Sequence, residues 1–414
     1  MNLEKEKLPK LRFKEFNEEI VNIIFEEVIE DSGYGPRFNS NDYNEHGNVK
    51  TIRGTDISSS GEINYEQVPL ARLDDILVSN HQLQDGDLVM ITTADCGLTG
   101  VFRKQNIAYI PSAYAVKIKL KKSANPYFFQ YFFQTSKAKN QVSKFIRKAT
   151  VANLPGSDIL KFKINLPSIT EQQKIAAFFT AIDNKIQLLT RKKTLLEKYK
   201  KSVSQKLFNQ EIRFKDDTGG NYEYWKKQNL SEVLVEHKER NKTSQYEEVF
   251  SVAKEKGVIN QIEHLGRSYA SNIIENYKVV YPFDIIYTKS PTSDFPFGII
   301  KQNKLGRTGV VSVLYAVFKP NNGNIGYIID DYFSSGINAY NYLNPLVRRG
   351  AKNTMNISND EFLNGVKLSL PVSPGEQEKF ASFLMAMNNR IILLATQLQK
   401  MQAFKKGLLQ QMFV

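Results

Sequence analysis

The sequence predicts an α+β protein: two mixed α/β domains separated by two long antiparallel coiled-coil helices, with a pseudo-two-fold internal repeat. Three observations predict this. A helical segment occurs twice, 205 residues apart, as Glu171 Gln172 Gln173 Lys174 Ile175 Ala176 and Glu376 Gln377 Glu378 Lys379 Phe380 Ala381. Apolar residues in both copies recur at steps of four and three, a 3.5-residue period that keeps one narrow seam on a partner helix. Between the copies, short apolar runs alternate with polar, glycine-containing loops, the pattern of strands and turns. At 414 residues the chain exceeds one hydrophobic core, and two globular units of roughly 150 to 170 residues are expected.

Taken in order, residues 1–170 form a first domain, 171–208 a spacer helix, 209–375 a second domain and 376–414 a second spacer helix. In the first domain, Gly86 to Ile91 reads as a strand entering the loop Thr92 to Gly100, with further strands from Val101 and over Ala113 to Leu120. Asn125 Pro126 then caps an aromatic helix, Tyr127 to Phe133. In the second domain, Phe283 to Thr288 is the matching strand, Val310 to Phe318 a later one, and Asn344 Pro345 the matching Asn-Pro pair. Each long helix follows an extended Leu-Pro segment, Leu166 Pro167 or Leu370 Pro371, and Thr170 with Gln173 forms a capping-box pattern.

The first seam comprises Ile175, Phe179, Ile182, Ile186 and Leu189, and the second Phe380, Leu384, Met387, Ile391 and Leu394. Lys193 and Lys200 interrupt the register, with Leu398 and Lys405 as counterparts. Ile212 Arg213 Phe214 Lys215 follows the first helix, and Leu11 Arg12 Phe13 Lys14 opens the chain, so the repeat is cyclic. The N-terminal strip therefore belongs with the C-terminal helix, which sets the helices antiparallel.

The net charge of +13 points to an anionic partner, nucleic acid before membrane. No apolar run of about 18 residues predicts a membrane span, the charged N-terminus does not read as a secretory signal, and the single Cys96 suits a reducing cytoplasm. His46, His81, His237 and His264 lack metal-ligand spacing, so no metal is expected. Glu236 His237 Lys238 reads as a solvated helix face, and Asn125 Pro126 Tyr127 Phe128 as capping rather than a methyltransferase motif. With no phosphate-binding loop and no nucleophile, base and acid set, no catalytic residue is assigned.

A protein holding double-stranded DNA needs cations for phosphates and hydrogen-bonding side chains for base edges. In the first domain the candidates are Tyr34, Arg37, Arg53, Thr55, Thr92, Thr93, Thr99, Arg147 and Lys148. In the second they are Arg240, Lys242, Lys289, Thr292, Ser293, Arg307, Arg348, Arg349 and Lys352. These loops differ almost completely between the copies, as two separate reading heads would.

The chain resembles the specificity subunit of a type I restriction-modification system. The resemblance rests on Leu166 to Ile175 followed by Ile182 Asp183, its recurrence at 376, Val49 to Ile57, and Leu83 to Leu88. It implies two target recognition domains that read the halves of a bipartite DNA site, with the helices setting the gap. It also implies that two methyltransferase subunits dock on the helices and supply S-adenosylmethionine chemistry, so that this chain holds no cofactor. Restriction/translocase subunits complete the complex, and the chain itself is not an enzyme. A specificity subunit of a fused methylase-nuclease system, and a single-chain DNA-modifying enzyme, stay open as alternatives. The second copy departs from the pattern at an inserted Gly375 and at Asn388, where aspartate is expected.

Overall fold

The computed structural model describes residues 9–147, 150–268, 274–349 and 355–413. The chain divides into two compact units, Met1–Arg191 with Thr396–Val414, and Lys192–Ala395. Both divisions fall inside the long helices Ile169–Phe208 and Pro374–Met412, here called the first and second rods. The predicted domain edges lie instead at the rod ends, whereas each unit keeps part of both rods.

The first unit is built on a four-stranded antiparallel sheet in the order Ile29–Tyr34, Ala115–Leu120, Leu88–Ile91, Thr99–Val101. Leu88, Met90, Val116 and Ile118 from it enter a core filled by aromatic residues. The helix Pro126–Phe132 supplies most of these rings; the Asn125 side chain accepts from Phe128 N at 3.1 Å and sets its start. Phe25 stacks on Phe129 at 5.1 Å, and Phe179 and Phe413 from the rods close the same cluster at 6.0 Å. Burying each such ring contributes about 2–3 kcal/mol. A smaller sheet pairs Val49–Ile52 with Leu70–Ala71 and, in parallel, with Ala108–Pro111.

The second unit repeats the sheet order with Leu234–Glu236, Ala316–Pro320, Ile285–Thr288 and Ile299–Gln302. The strand that leads to each rod pairs with a strand early in the same unit, Lys163–Leu166 with Val21–Ile24 and Lys367–Leu370 with Lys226–Asn229. Two differences from expectation appear here. The strand read over Val310 to Phe318 is two strands, Gly309–Val311 and Ala316–Pro320, because Tyr315 N donates to Ser312 O at 3.0 Å and turns the chain. Asn344 Pro345 opens a 3-10 turn, Asn344–Leu346; the counterpart of the aromatic helix is Gly323–Ser334, capped by Asn322.

Ile175, Phe179, Ile182, Phe380, Leu384, Met387 and Leu394 are buried, while Ile186, Leu189 and Ile391 are partly covered. In the first unit Phe179 meets Phe413 and Asp183 meets Lys405 at 2.7 Å, an antiparallel progression. In the second unit Phe208 packs on Phe380 with ring centres 5.2 Å apart.

The repeated Glu-Gln pair has a structural role. Glu171 accepts from Arg12 Nε at 2.8 Å and Nη2 at 2.7 Å, and Glu376 accepts from Arg213 at 3.1 and 2.8 Å. The cyclic strip is thus clasped to a rod start in each unit. Gln172 accepts from Asn125 N at 2.9 Å and donates to Pro167 O, while Gln377 accepts from Asn322 Nδ2 at 3.0 Å and donates to Pro371 O. The Thr170–Gln173 capping box is displaced, since the helix already begins at Ile169. The inserted Gly375 is taken into the first turn of the second rod behind Pro374, a residue preorganised for that position.

Candidate nucleic-acid interface

In the first unit the segments singled out in the sequence converge on one turn, Ser112 to Ala115, closed by Ala115 N donating to Ser112 O at 3.0 Å. Gly35, beside Tyr34 and two residues before Arg37, donates to Ala115 O at 3.1 Å. A Cβ at Gly35 would stand 2.0 Å from Pro111 O, so only glycine permits that approach. Ser112 N donates to Ile52 O at 2.9 Å, which brings the Arg53 and Thr55 loop alongside. Thr92 donates to Tyr114 O from both N and Oγ1, each at 2.9 Å. The 150–156 segment joins through Leu154 N to Thr92 O at 2.7 Å, and Gly156 N donates to Tyr34 Oη at 2.7 Å.

Side by side in space, these residues differ in availability. Arg37 and Thr55 are exposed and Thr93 is half-buried. The Arg53 guanidinium grips Asp56 through two bonds of 3.1 and 3.0 Å, which raises its pKa and fixes its plane. Arg147 is largely exposed, 3.8 Å from Asp158. Thr92 and Thr99 are buried, with hydroxyls spent on Tyr114 O and Gly97 O, so they shape the loop rather than face solvent. The residue that sequence reasoning missed is Tyr114, 64% exposed at the turn. Reading Ala113 to Leu120 as one strand concealed it; the strand begins only at Ala115.

In the second unit the corresponding turn is Ser312 to Tyr315, with Leu314 76% exposed. Lys278 Nζ donates to Tyr315 O at 2.6 Å, from a strand, Lys278–Val280, that pairs with Gly309–Val311. Arg240 is bridged to Lys278 and donates to Asn276 O at 2.9 Å. Burial and the neighbouring Arg240 and Lys238 hold the Lys278 pKa below the ordinary lysine value, against the opposing effect of Glu236. Burial, then Lys278, lowers Lys289 in the same way, and its Nζ donates to Ile357 O at 2.5 Å. Such crowding of like charge is relieved by an anion.

Other second-unit candidates are placed differently. Arg307 is clamped between Glu248 at 2.8 Å and Glu263 at 2.6 Å, and Arg348 pairs with Glu361. Thr292 exchanges backbone bonds with Phe295 in a tight turn, and Lys242 and Ser293 are exposed. Lys148, Lys352 and the Arg349 side chain lie outside the described residues. The Glu236 His237 Lys238 triplet is on a strand end rather than a helix: His237 N donates to Val317 O at 2.8 Å, and its ring lies 3.7 Å from Asp284.

Residues 17–198 match the family described as the type I restriction modification DNA specificity domain. Over the whole chain, the fold is similar to that of the type I restriction-modification system S subunit from M. genitalium, at 12% identity, 99% of each chain covered and a TM-score of 0.63. The HsdS subunit from Thermoanaerobacter tengcongensis is similar at 16% identity over 95% of this chain and 96% of its own, with a TM-score of 0.45. A chain from a structure titled for complex assembly and conformational transition of the type I R-M system is also similar, at 16% identity, the same coverage and a TM-score of 0.49. The matched segment thus covers most of the first unit and most of the first rod, and the second unit repeats the strand order of the first. Among the described residues no helix is long and apolar enough to cross a membrane.

Proposed function

We propose that this chain is the DNA-specificity subunit of a type I restriction-modification complex, in which each unit reads one half of an asymmetric bipartite site. The observation that carries the reading is the convergence of independent loops on one exposed turn inside the specificity domain. Rigid turns presenting variable side chains suit base readout, and the cations around them suit phosphate contacts. Because the loop residues differ between units, the two half-sites differ.

The rods set the spacing and carry the partner subunits. Leu188, Leu195 and Tyr199 are exposed on the first rod at steps of seven and four, hence on one face. Leu393 and Phe404, also exposed, stand 205 residues beyond Leu188 and Tyr199 on the second rod. An apolar stripe on a helix, flanked by exposed Arg191, Lys192, Lys198 and Lys201, fits an amphipathic acidic partner helix. One stripe per rod fits two methyltransferase subunits, which bring S-adenosylmethionine and the reaction, while restriction/translocase subunits join the larger assembly in the cytoplasm.

Sequencing of methylated bases in the host genome, with the chain present, deleted and restored, tests the reading. A bipartite motif that disappears on deletion and returns on restoration is expected; unchanged methylation after deletion would sink it.

A further inference from the structure

The two units share almost no loop sequence, yet both turn the chain in the same way at the same place. Ser112 and Ser312 each lie between a strand of the smaller sheet and the second strand of the main sheet, and each accepts from the residue three positions on at 3.0 Å. The third residue of each turn is large and exposed: the phenol Tyr114 in one, and Leu314, beside the less exposed Val313, in the other. One exposed apolar side chain is ordinary on any surface. Two at the same turn position, in copies whose other loop residues have diverged, require a common cause.

The backbones beneath them are fixed. Tyr114 O accepts two bonds from Thr92, and Gly35 and Ile52 hold the residues on either side. Lys278 pins the other turn through Tyr315 O at 2.6 Å. A rigid platform beneath a projecting side chain avoids the ordering entropy that a mobile loop would lose on binding. Basic residues lie beside the segments that hold each turn: Arg37 two residues after Gly35 and Arg53 next to Ile52 at one, and Lys278, bonded to Tyr315 O, with Arg240 bridged to it at the other.

We propose that Tyr114 and Leu314 are specificity-determining residues, each packed against base edges of one half-site in the major groove of duplex DNA. This rests on the reading of the chain as a DNA-specificity subunit. The only apolar group on a major-groove edge is the thymine methyl, so packing by the Tyr114 ring or the Leu314 side chain favours A·T over G·C at the step it meets. The exposed cations nearby, Arg37 and Arg240, take phosphates and hold the register, while the projecting side chain discriminates.

The test is the methylome of the intact complex in cells carrying Tyr114→Ala or Leu314→Ala in place of the wild-type chain. Each variant is expected to relax one position in one half-site, lowering discrimination there about tenfold. The other half-site and the spacer stay unchanged, and Tyr114→Phe, which keeps the ring, retains the wild-type motif. An unchanged motif in both alanine variants overturns the proposal. So does a uniform loss of methylation by a chain with wild-type solubility and circular dichroism, because the contact is then blind to sequence. A wild-type methylome with no motif dependent on this chain overturns the specificity-subunit reading itself, and is distinguished by needing no variant.

Discussion

Asp284 shows how a single buried carboxyl responds to the site around it. It accepts from Tyr281 N at 2.8 Å at the start of the second unit's central strand, and burial pushes its pKa up to about 6, opposed by that hydrogen bond and by His237 and Lys319. The folded state therefore keeps this proton to about pH 6, whereas the unfolded chain releases it near the ordinary value of 3.8. Over that window the folded state binds more protons, so the Asp284 contribution falls as pH rises and is level above it. Replacing Asp284 by Asn should remove this dependence. Measured by denaturant midpoints, the variant should gain on wild type by about 1–3 kcal/mol between pH 4 and pH 7; a difference that does not vary with pH would refute the assignment. The same scale explains Thr92 and Thr99, which look like contact residues by type but are consumed by the carbonyls of Tyr114 and Gly97.

At the scale of elements, Lys200 and Lys405 stand at equivalent positions of the two rods and are neutralised differently. Lys405 is buried against Asp183 at 2.7 Å and Gln134 at 3.0 Å, with Tyr131 beneath at 5.1 Å. Its counterpart Lys200 meets Asp331 at 2.6 Å. Counted from the helix caps Asn125 and Asn322, Gln134 and Asp331 stand at the same step, so the acid has moved from rod to globule. That accounts for Asn388 where aspartate was expected: its amide donates to Tyr327 Oη at 2.8 Å instead. Removing one member of a buried pair costs about 3–5 kcal/mol, whereas removing both costs far less. Asp183→Asn should therefore destabilise strongly. Adding Gln134→Asp, which copies the second unit, should recover most of the loss in thermal denaturation. A double variant no more stable than the single one would show that the two arrangements are not equivalent.

For the whole molecule, the repeat divides labour between a shared frame and divergent loops. Sharing the rods between both compact units ties each globule to both helices, which is what the cyclic continuation from Phe413 to Leu11 requires: Leu11 N donates to Gln411 O at 3.1 Å. If the rods set the spacing, a four-residue insertion adds about 6 Å, close to two base pairs at about 3.4 Å each. The expected outcome is a methylated motif with a changed spacer and unchanged half-sites. Retention of the original spacer in the insertion variant would reject the ruler.

The heptad seam, the Glu-Gln repeat and the Asn125 cap were legible in the residues because each depends on neighbours along the chain, through helical spacing or a side chain three positions away. The fold class followed from these local signals. Side-chain availability did not, because it depends on contacts formed across the sequence. Arg307 lies between Glu248 and Glu263, Thr92 faces a carbonyl 22 residues on, and Tyr114 emerges only where Gly35 and Ile52 fix the turn. The sequence by itself determined that there are two rods and two divergent heads. Only tertiary packing decided which side chains those heads present, since a hydrogen bond to a distant carbonyl or carboxylate leaves no periodic trace in the chain.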